Sequence, residues 1–168
     1  MWLFGIFVLI IYLPIFIFWI NNDFKKRFSE VNSFGKDQLI EIVIGLLYGV
    51  IIISGFMCIP SSHLWKIIIG SLIYLFGLFM TIRGYWDFQK NKGLITSGAY
   101  SHSRNPTYVF GFVALFGIVF MTNALGLLIA TSIQMILTHK IILNEEKFLS
   151  KRYGKKYEQY KKNVPRYL

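Results

Sequence analysis

The sequence predicts an all-α integral membrane protein, with five transmembrane helices followed by a cytoplasmic amphipathic C-terminal helix. Three observations carry that prediction. Of the 168 residues, 55% are hydrophobic and only 15% charged, against about 25% charged in ordinary soluble domains. Asp, Glu, Lys and Arg are absent from residues 1–20, 42–59, 67–82 and 105–139. The basic residues collect in alternate connections between these runs. Apolarity of this degree excludes intrinsic disorder, and one cysteine, Cys58, excludes a disulfide-stapled secreted domain. Cys58 itself lies in an apolar run and reads as a small core residue.

A spanning helix needs about 20 largely apolar residues. Residues 2–20 supply the first. They lack a basic n-region and a small-residue cleavage site, so they read as a retained helix rather than a signal peptide. Residues 39–59 form the second, ended by Pro60, Ser61 and Ser62. Residues 64–82 form the third, with Trp65 at the position of an interfacial aromatic. The uncharged stretch 105–139, taken as one helix, would run roughly 50 Å through a hydrocarbon core of about 30 Å. A turn at Thr122–Asn123 therefore divides it into spans at 107–121 and 124–143. The first of these is short enough to tilt little or to sit partly inside the protein. The connection 83–106 and the tail 144–168 complete a single domain over residues 1–168, without internal repeats.

Charge gives the orientation. Lys25, Lys26, Arg27 and Lys36 lie in the first connection, and Arg83, Lys90, Lys92 and Arg104 in the third. Nine more follow from Lys140 onward, which leaves Lys66 for the opposite face. The positive-inside rule then places the N-terminus outside and the C-terminus in the cytoplasm of a multi-pass cell-membrane protein. An odd number of spans requires the same. The net charge of +10 is accounted for by loop retention and anionic lipid heads, without nucleic acid. Gly45 and Gly49, and Gly70, Gly77 and Gly84 at heptad spacing, mark close helix contacts. Packing within a monomer is favoured for them, with a dimer seam as the alternative.

Polar residues inside a bilayer are expensive, so those that persist are functional candidates. On the fifth helix Gln134, Thr138 and Glu145 share one face, with Ser132, His139 and Glu146 alongside. A solvated helix end accounts for the two glutamates but not for Gln134 or Thr138. The connection from Gly93 to Tyr108 is rich in glycine and hydroxyl groups and holds Arg104-Asn105-Pro106 between two tyrosines. A plain connector can be this long but has no use for that set, whereas a shaped loop can present its backbone to a ligand. Pro106 suits the first turn of the fourth helix, whose free N–H groups favour negative charge. In the tail, Leu149, Tyr153, Tyr157, Tyr160 and Val164 follow helical spacing among lysines. That pattern predicts a helix on the membrane surface with its tyrosines down, loosened at Gly154.

Three motifs occur in order: Gly98-x-Tyr100-x-x-x-Arg104-Asn105-Pro106-x-Tyr108, Glu145-Glu146-x-x-Leu149, and Tyr153-Gly154-x-x-Tyr157-x-x-Tyr160-x-x-x-Val164-Pro165. Together they resemble the isoprenylcysteine carboxyl methyltransferase family, which is related to phospholipid N-methyltransferases. The resemblance covers about the last 80 residues; the first three helices match only in being hydrophobic. It implies a membrane-embedded enzyme using S-adenosyl-L-methionine, bound on the cytoplasmic side between the connecting loop and the end of the last helix. Carried over by position, Lys92, Gly93, Leu94, Ile95, Tyr100, Asn105, Pro106, Thr107 and Tyr108 would line that pocket. Glu145 falls at the family's cofactor-binding glutamate, with Glu146 beside it. Arg104 and Tyr108 are positioning candidates, and no residue is singled out as catalytic.

Two departures stand out. The family's usual Arg-His-Pro is Arg-Asn-Pro here, and Ile141 replaces an arginine that prenylcysteine enzymes associate with their substrate. The resemblance thus reaches the cofactor rather than a prenylcysteine carboxylate. The acceptor is a membrane lipid or other lipophilic molecule attacking through a carboxylate, thiol or amine. His63, His102 and His139 are too dispersed for a metal site. An NADPH-dependent membrane reductase of the sterol reductase type, which ends in a similar tail, is the enzymatic alternative. Such enzymes are larger and carry more arginines for the phosphates. A non-enzymatic scaffold would explain the basic aromatic tail but neither the loop motif nor the intramembrane stripe.

Overall fold

The computed structural model describes residues 3–19, 38–91 and 93–168. Among them the regular structure is all helical: α1 (Leu3–Trp19), α2 (Gln38–Met57), α3 (Leu64–Lys90), α4 (Pro106–Thr122), α5 (Leu125–Tyr153) and α6 (Lys155–Asn163), with a 3-10 turn at Gly98–Ser101. The basic segment holding Lys25, Lys26, Arg27 and Lys36 lies outside the described residues, as does Lys92. Two helices, α3 and α5, are long and apolar enough to cross a membrane, while α1, α2 and α4 contribute shorter apolar helices.

Both long helices run past the spans read from hydropathy. Residues 83–90, expected in the connecting loop, continue α3, and residues 144–153, expected in the tail, continue α5. The reason is physical. Charged and aromatic residues end an apolar run without ending a helix. Termination waits for Asn91, whose side-chain amide donates to the Asp87 carbonyl at 2.8 Å, and for Gly154 at φ +50°. At 1.5 Å per residue, α3 and α5 reach roughly 40 Å, about 10 Å more than a 30 Å hydrocarbon core requires.

The turn at Thr122–Asn123 is present. Asn123 takes a left-handed conformation at φ 52° and caps α4 through its N–H to the Val119 carbonyl. Its side chain accepts from Lys66 Nζ at 3.0 Å. The short helix α4 is the central one, burying Phe110, Ala114, Leu115, Ile118 and Met121. Around it Val8, Ile51, Tyr74 and Leu127 complete the core. The outward faces stay apolar: Leu46, Leu72, Phe79 and Ile136 are each more than 60% exposed, as lipid-facing residues would be.

Because lipid is as apolar as a protein core, helix association here depends on close packing rather than on escape from water. Glycines supply it between α3 and α4. An added Cβ would lie 2.5 Å from Met121 Cγ at Gly70, 2.5 Å from the Ala114 nitrogen at Gly77, and 2.7 Å from the Tyr74 nitrogen at Gly117. The heptad glycines of α3 therefore form an internal seam. Gly45 and Gly49 do not: a Cβ at either meets no atom within 4 Å.

The end of the chain corrects the surface-helix expectation. Helix α6 forms and has lysines on its outer side, but Tyr157 and Tyr160 are buried against Leu94, Leu149 and Tyr153 instead of turning into lipid. The Tyr160 hydroxyl is hydrogen-bonded within the protein, to the Tyr100 carbonyl.

Candidate active site

The projecting ends of α3 and α5 hold the connecting loop between them. Asp87, buried on α3, accepts the Ala99 N–H at 2.8 Å. Gly98 makes that approach possible: it sits at φ +65°, and a Cβ there would lie 2.1 Å from Asp87 Oδ2. The 3-10 turn that follows presents the Tyr100 carbonyl to the Tyr160 hydroxyl, which donates at 2.6 Å. Burial pushes the Tyr100, Tyr157 and Tyr160 hydroxyls above their ordinary range. They remain protonated, and the Tyr160 hydroxyl serves as a donor.

Residues 164–168 cross over this loop as a strap. The Pro165 carbonyl accepts the Arg104 N–H at 3.0 Å. The Arg166 carbonyl accepts from Ser103 Oγ at 3.1 Å and from Asn105 Nδ2 at 3.2 Å. The Arg166 guanidinium grips Glu146 through two bonds, 3.0 Å from Nε and 2.8 Å from Nη2. Arg104 Nη1 stands 3.3 Å from the same carboxylate. Tyr167 is hydrogen-bonded to His139 Nδ1. The Glu146 carboxylate raises the pKa of Arg166 further. The last residues of the chain, the arginine of the loop and a glutamate of α5 are thus one electrostatic unit.

Beside this loop opens a cleft lined by the end of α3, the loop, the start of α4, the end of α5 and Tyr160 of α6. Its centre is Glu145, whose Oε1 accepts the Tyr108 hydroxyl at 2.6 Å. Tyr85 and Tyr100 also lie close enough to feel the carboxylate. Of the residues expected from sequence, Gly93, Leu94, Ile95, Tyr100, Arg104, Asn105, Thr107, Tyr108 and Glu145 line the cleft. Pro106 stands behind the wall as the first residue of α4, and Glu146 is turned away into the strap.

Sequence reasoning missed Phe88, Phe148, Leu149, Arg152, Tyr153 and Tyr160, which also line the cleft. Phe88 fell in a stretch assigned to the loop, and the rest were read as a surface anchor. Helical spacing carried the signal: 148, 149 and 152 follow Glu145 at i+3, i+4 and i+7, on one face. Arg152 lies over the Phe148 and Tyr153 rings at 5.6 and 5.8 Å. Arg104 also lines the cleft, with its Nε and Nη1 buried. The cleft therefore presents a carboxylate, guanidinium groups, aromatic faces and apolar side chains, a set suited to a small ligand with charges of both signs.

Comparison with known proteins agrees in location. The family described as phospholipid methyltransferase matches residues 50–156. The chain is also similar, at 28% identity over 84 residues, to the nickel-cobalt-cadmium resistance protein NccN of Alcaligenes xylosoxydans xylosoxydans. That similarity covers 50% of this chain and 39% of the relative, so the chain spans well under half of that protein's length. No solved structure matches.

Proposed function

This chain belongs to the phospholipid methyltransferase family, and on that premise we propose that it transfers a methyl group from S-adenosyl-L-methionine to a lipophilic acceptor. The family is one of membrane methyltransferases. The observation that carries the finer reading is the Tyr108–Glu145 hydrogen bond of 2.6 Å inside a cleft that Arg152 and aromatic side chains also line. S-adenosyl-L-methionine bears an ammonium, a sulfonium and a carboxylate, and these residues fit it. Glu145 would meet the cationic groups. Arg152 would meet the carboxylate, and Phe88, Phe148 and Leu94 would offer apolar contact to the adenine. The rings of Tyr100 and Tyr108 would supply aromatic faces to a sulfonium.

When bound, the cofactor supplies an electrophilic methyl group, which the acceptor's lone pair takes as the thioether leaves. The protein's part is to orient the two molecules and to exclude water, so an array of acid–base groups is unnecessary. Tyr108 fixes the Glu145 carboxylate, and the strap fixes the loop that carries Asn105 and Tyr108. The reading includes five membrane crossings with the cleft on the cytoplasmic side, and a monomer. The acceptor's nucleophile is a carboxylate, thiol or amine.

An NADPH-dependent reductase fits less well. Such a cofactor brings several phosphates, and Arg104 already shares the Glu146 carboxylate with Arg166. Titrating the purified protein separately with S-adenosyl-L-methionine and NADPH, for wild type and Glu145→Gln, tests the assignment. The expected result is binding of S-adenosyl-L-methionine that weakens about tenfold or more in the variant, as loss of a charged hydrogen-bonding partner would produce. Selective NADPH binding would overturn it.

A further inference from the structure

The strap does not stop at the loop it ties down. Glu146 and His139 lie seven residues apart on one face of α5. Arg166 grips the first, and Tyr167 is hydrogen-bonded to the second. The Tyr167 and His139 rings lie 6.0 Å apart, centre to centre. Between these two contacts the strap follows α5 over about 10 Å, back toward Leu125 and into the uncharged part of the helix.

Charge fixes how deep that is. Residues 125–139 of α5 contain no Asp, Glu, Lys or Arg, whereas Lys140, Glu145, Glu146 and Lys147 follow. Charged side chains are expelled from hydrocarbon, so the excess length of α5 lies at its C-terminal end. The hydrocarbon boundary then falls in the turn after His139, with exposed Lys140 reaching outward to the headgroups. Met135 and Ile136, at i−4 and i−3 from His139, are its neighbours on the helix surface and are 46% and 64% exposed. Tyr167 therefore lands beside lipid-facing side chains, at the depth where interfacial tyrosines collect. A polar ring at that depth is costly without a partner, and the Tyr167 hydroxyl provides one for His139. Leu168, next in the chain, is 70% exposed. An exposed leucine alone means little; this one follows a tyrosine already seated on a lipid-facing surface.

We propose that the strap is anchored in the bilayer: Tyr167 and Leu168, with Met135 and Ile136 of α5, form a surface for the acyl-chain boundary of one leaflet. The strap's irregular backbone stays at the edge, where headgroup water pairs with it, while the two side chains reach in. The anchor bears on the cleft because the same strap bonds the backbone of Arg104 and the side chains of Ser103 and Asn105. Lipid contact thus holds the loop that lines the cleft, whichever ligand the cleft takes. The proposal requires that α5 cross the membrane and is independent of methyl transfer.

Nitroxide labels read the depth in the full chain, reconstituted in phosphatidylcholine nanodiscs. Cys58, 5% exposed, is replaced by alanine, and single cysteines enter as Leu168→Cys, Ile136→Cys and Gln159→Cys, the last on the exposed side of α6. The label at position 168 is expected to follow the one at 136, losing collisions with a water-soluble nickel chelate while keeping those with oxygen. The label at 159 should collide freely with the chelate. A second measurement keeps the native cysteine. In nanodiscs, Leu168→Asp should lower the protection of the Arg166–Tyr167 bond against trypsin about tenfold, because a charge expelled from the boundary favours the open strap. Each cleavage rate is divided by that of the same chain unfolded. Were position 168 merely exposed to water, the substitution would leave protection unchanged. A chelate-accessible label at 168, or undiminished protection in Leu168→Asp, would overturn the anchor. A chelate-accessible label at 136 would overturn it too, by removing the crossing of α5.

Discussion

Replacing Glu146 by glutamine should release the strap. The carboxylate is 8% exposed and is shared by Arg104, at 9%, and Arg166, at 34%. Breaking a buried ion pair by removing one partner costs about 3–5 kcal/mol, because the other charge is left without compensation. Two features lower that figure here. Glutamine keeps a carbonyl oxygen that still accepts one N–H, and Arg166 is exposed enough to relax into water. A loss of about 2–3 kcal/mol is therefore expected. For a chain of this size each kcal/mol lowers the melting temperature by about 2–4 °C, giving a fall of about 4–12 °C. The assay is thermal unfolding in detergent, paired with tryptic trimming after Arg166, which should accelerate as the strap detaches. Glu158→Gln is the control: its pair with Lys161, at 3.2 Å, lies in solvent, and no measurable shift is expected. A Glu146→Gln midpoint within about 2 °C of wild type, with trimming unchanged, would refute the idea that this carboxylate anchors the tail.

Other consequences follow from the same geometry. Tyr108→Phe removes the donor to Glu145 and should weaken S-adenosyl-L-methionine binding about tenfold by calorimetric titration; unaltered affinity would take the pair out of the site. Gly98→Ala places a Cβ 2.1 Å from Asp87 Oδ2 at φ +65° and should cost about 1–3 kcal/mol of strain, read as a lower melting temperature. An unchanged midpoint would contradict the loop geometry. Gly77→Val should abolish a monodisperse, folded peak on size exclusion, since the added group meets the α4 backbone, whereas Gly49→Val should elute like wild type. Equal behaviour of the two variants would show that the internal seam has been misassigned.

Much of this architecture is legible in the sequence, and the exceptions have identifiable causes. Apolar runs located the helices, and the Thr122–Asn123 turn was visible because one helix there would overreach the bilayer. What hydropathy measures, however, is solvent rather than backbone conformation. Residues 83–90 and 144–153 leave the apolar zone without a glycine or proline to stop them, except Gly84, which packs against Thr107 in the seam. The helices continue, and their projecting turns carry Phe88 and Phe148 into the cleft. The tyrosines of α6 show the converse ambiguity. An apolar stripe on a basic helix fits a lipid surface or a protein surface equally well. Here the Tyr100 carbonyl and the side chains of Leu94 and Leu149 claim it.

The neighbouring glutamates illustrate why motif and geometry must be read together. Consecutive residues on a helix point about 100° apart, so Glu145 and Glu146 cannot both face one cleft. The fold assigns them separate tasks. Glu145 enters a cleft lined by tyrosines, where Tyr108 orients it and a cationic ligand can meet it. Glu146 faces the other way and draws together Arg104 from the loop and Arg166 from the end of the chain. That division also explains how one loop arginine can serve two ends. Arg104 lines the cleft while its Nη1 stands 3.3 Å from the structural glutamate. The strap thus does more than cover the loop: by competing for the arginines that border the site, Glu146 limits how much positive charge the cleft can offer. A ligand rich in phosphates gains little there, while one carrying two cations and one carboxylate finds a matching set.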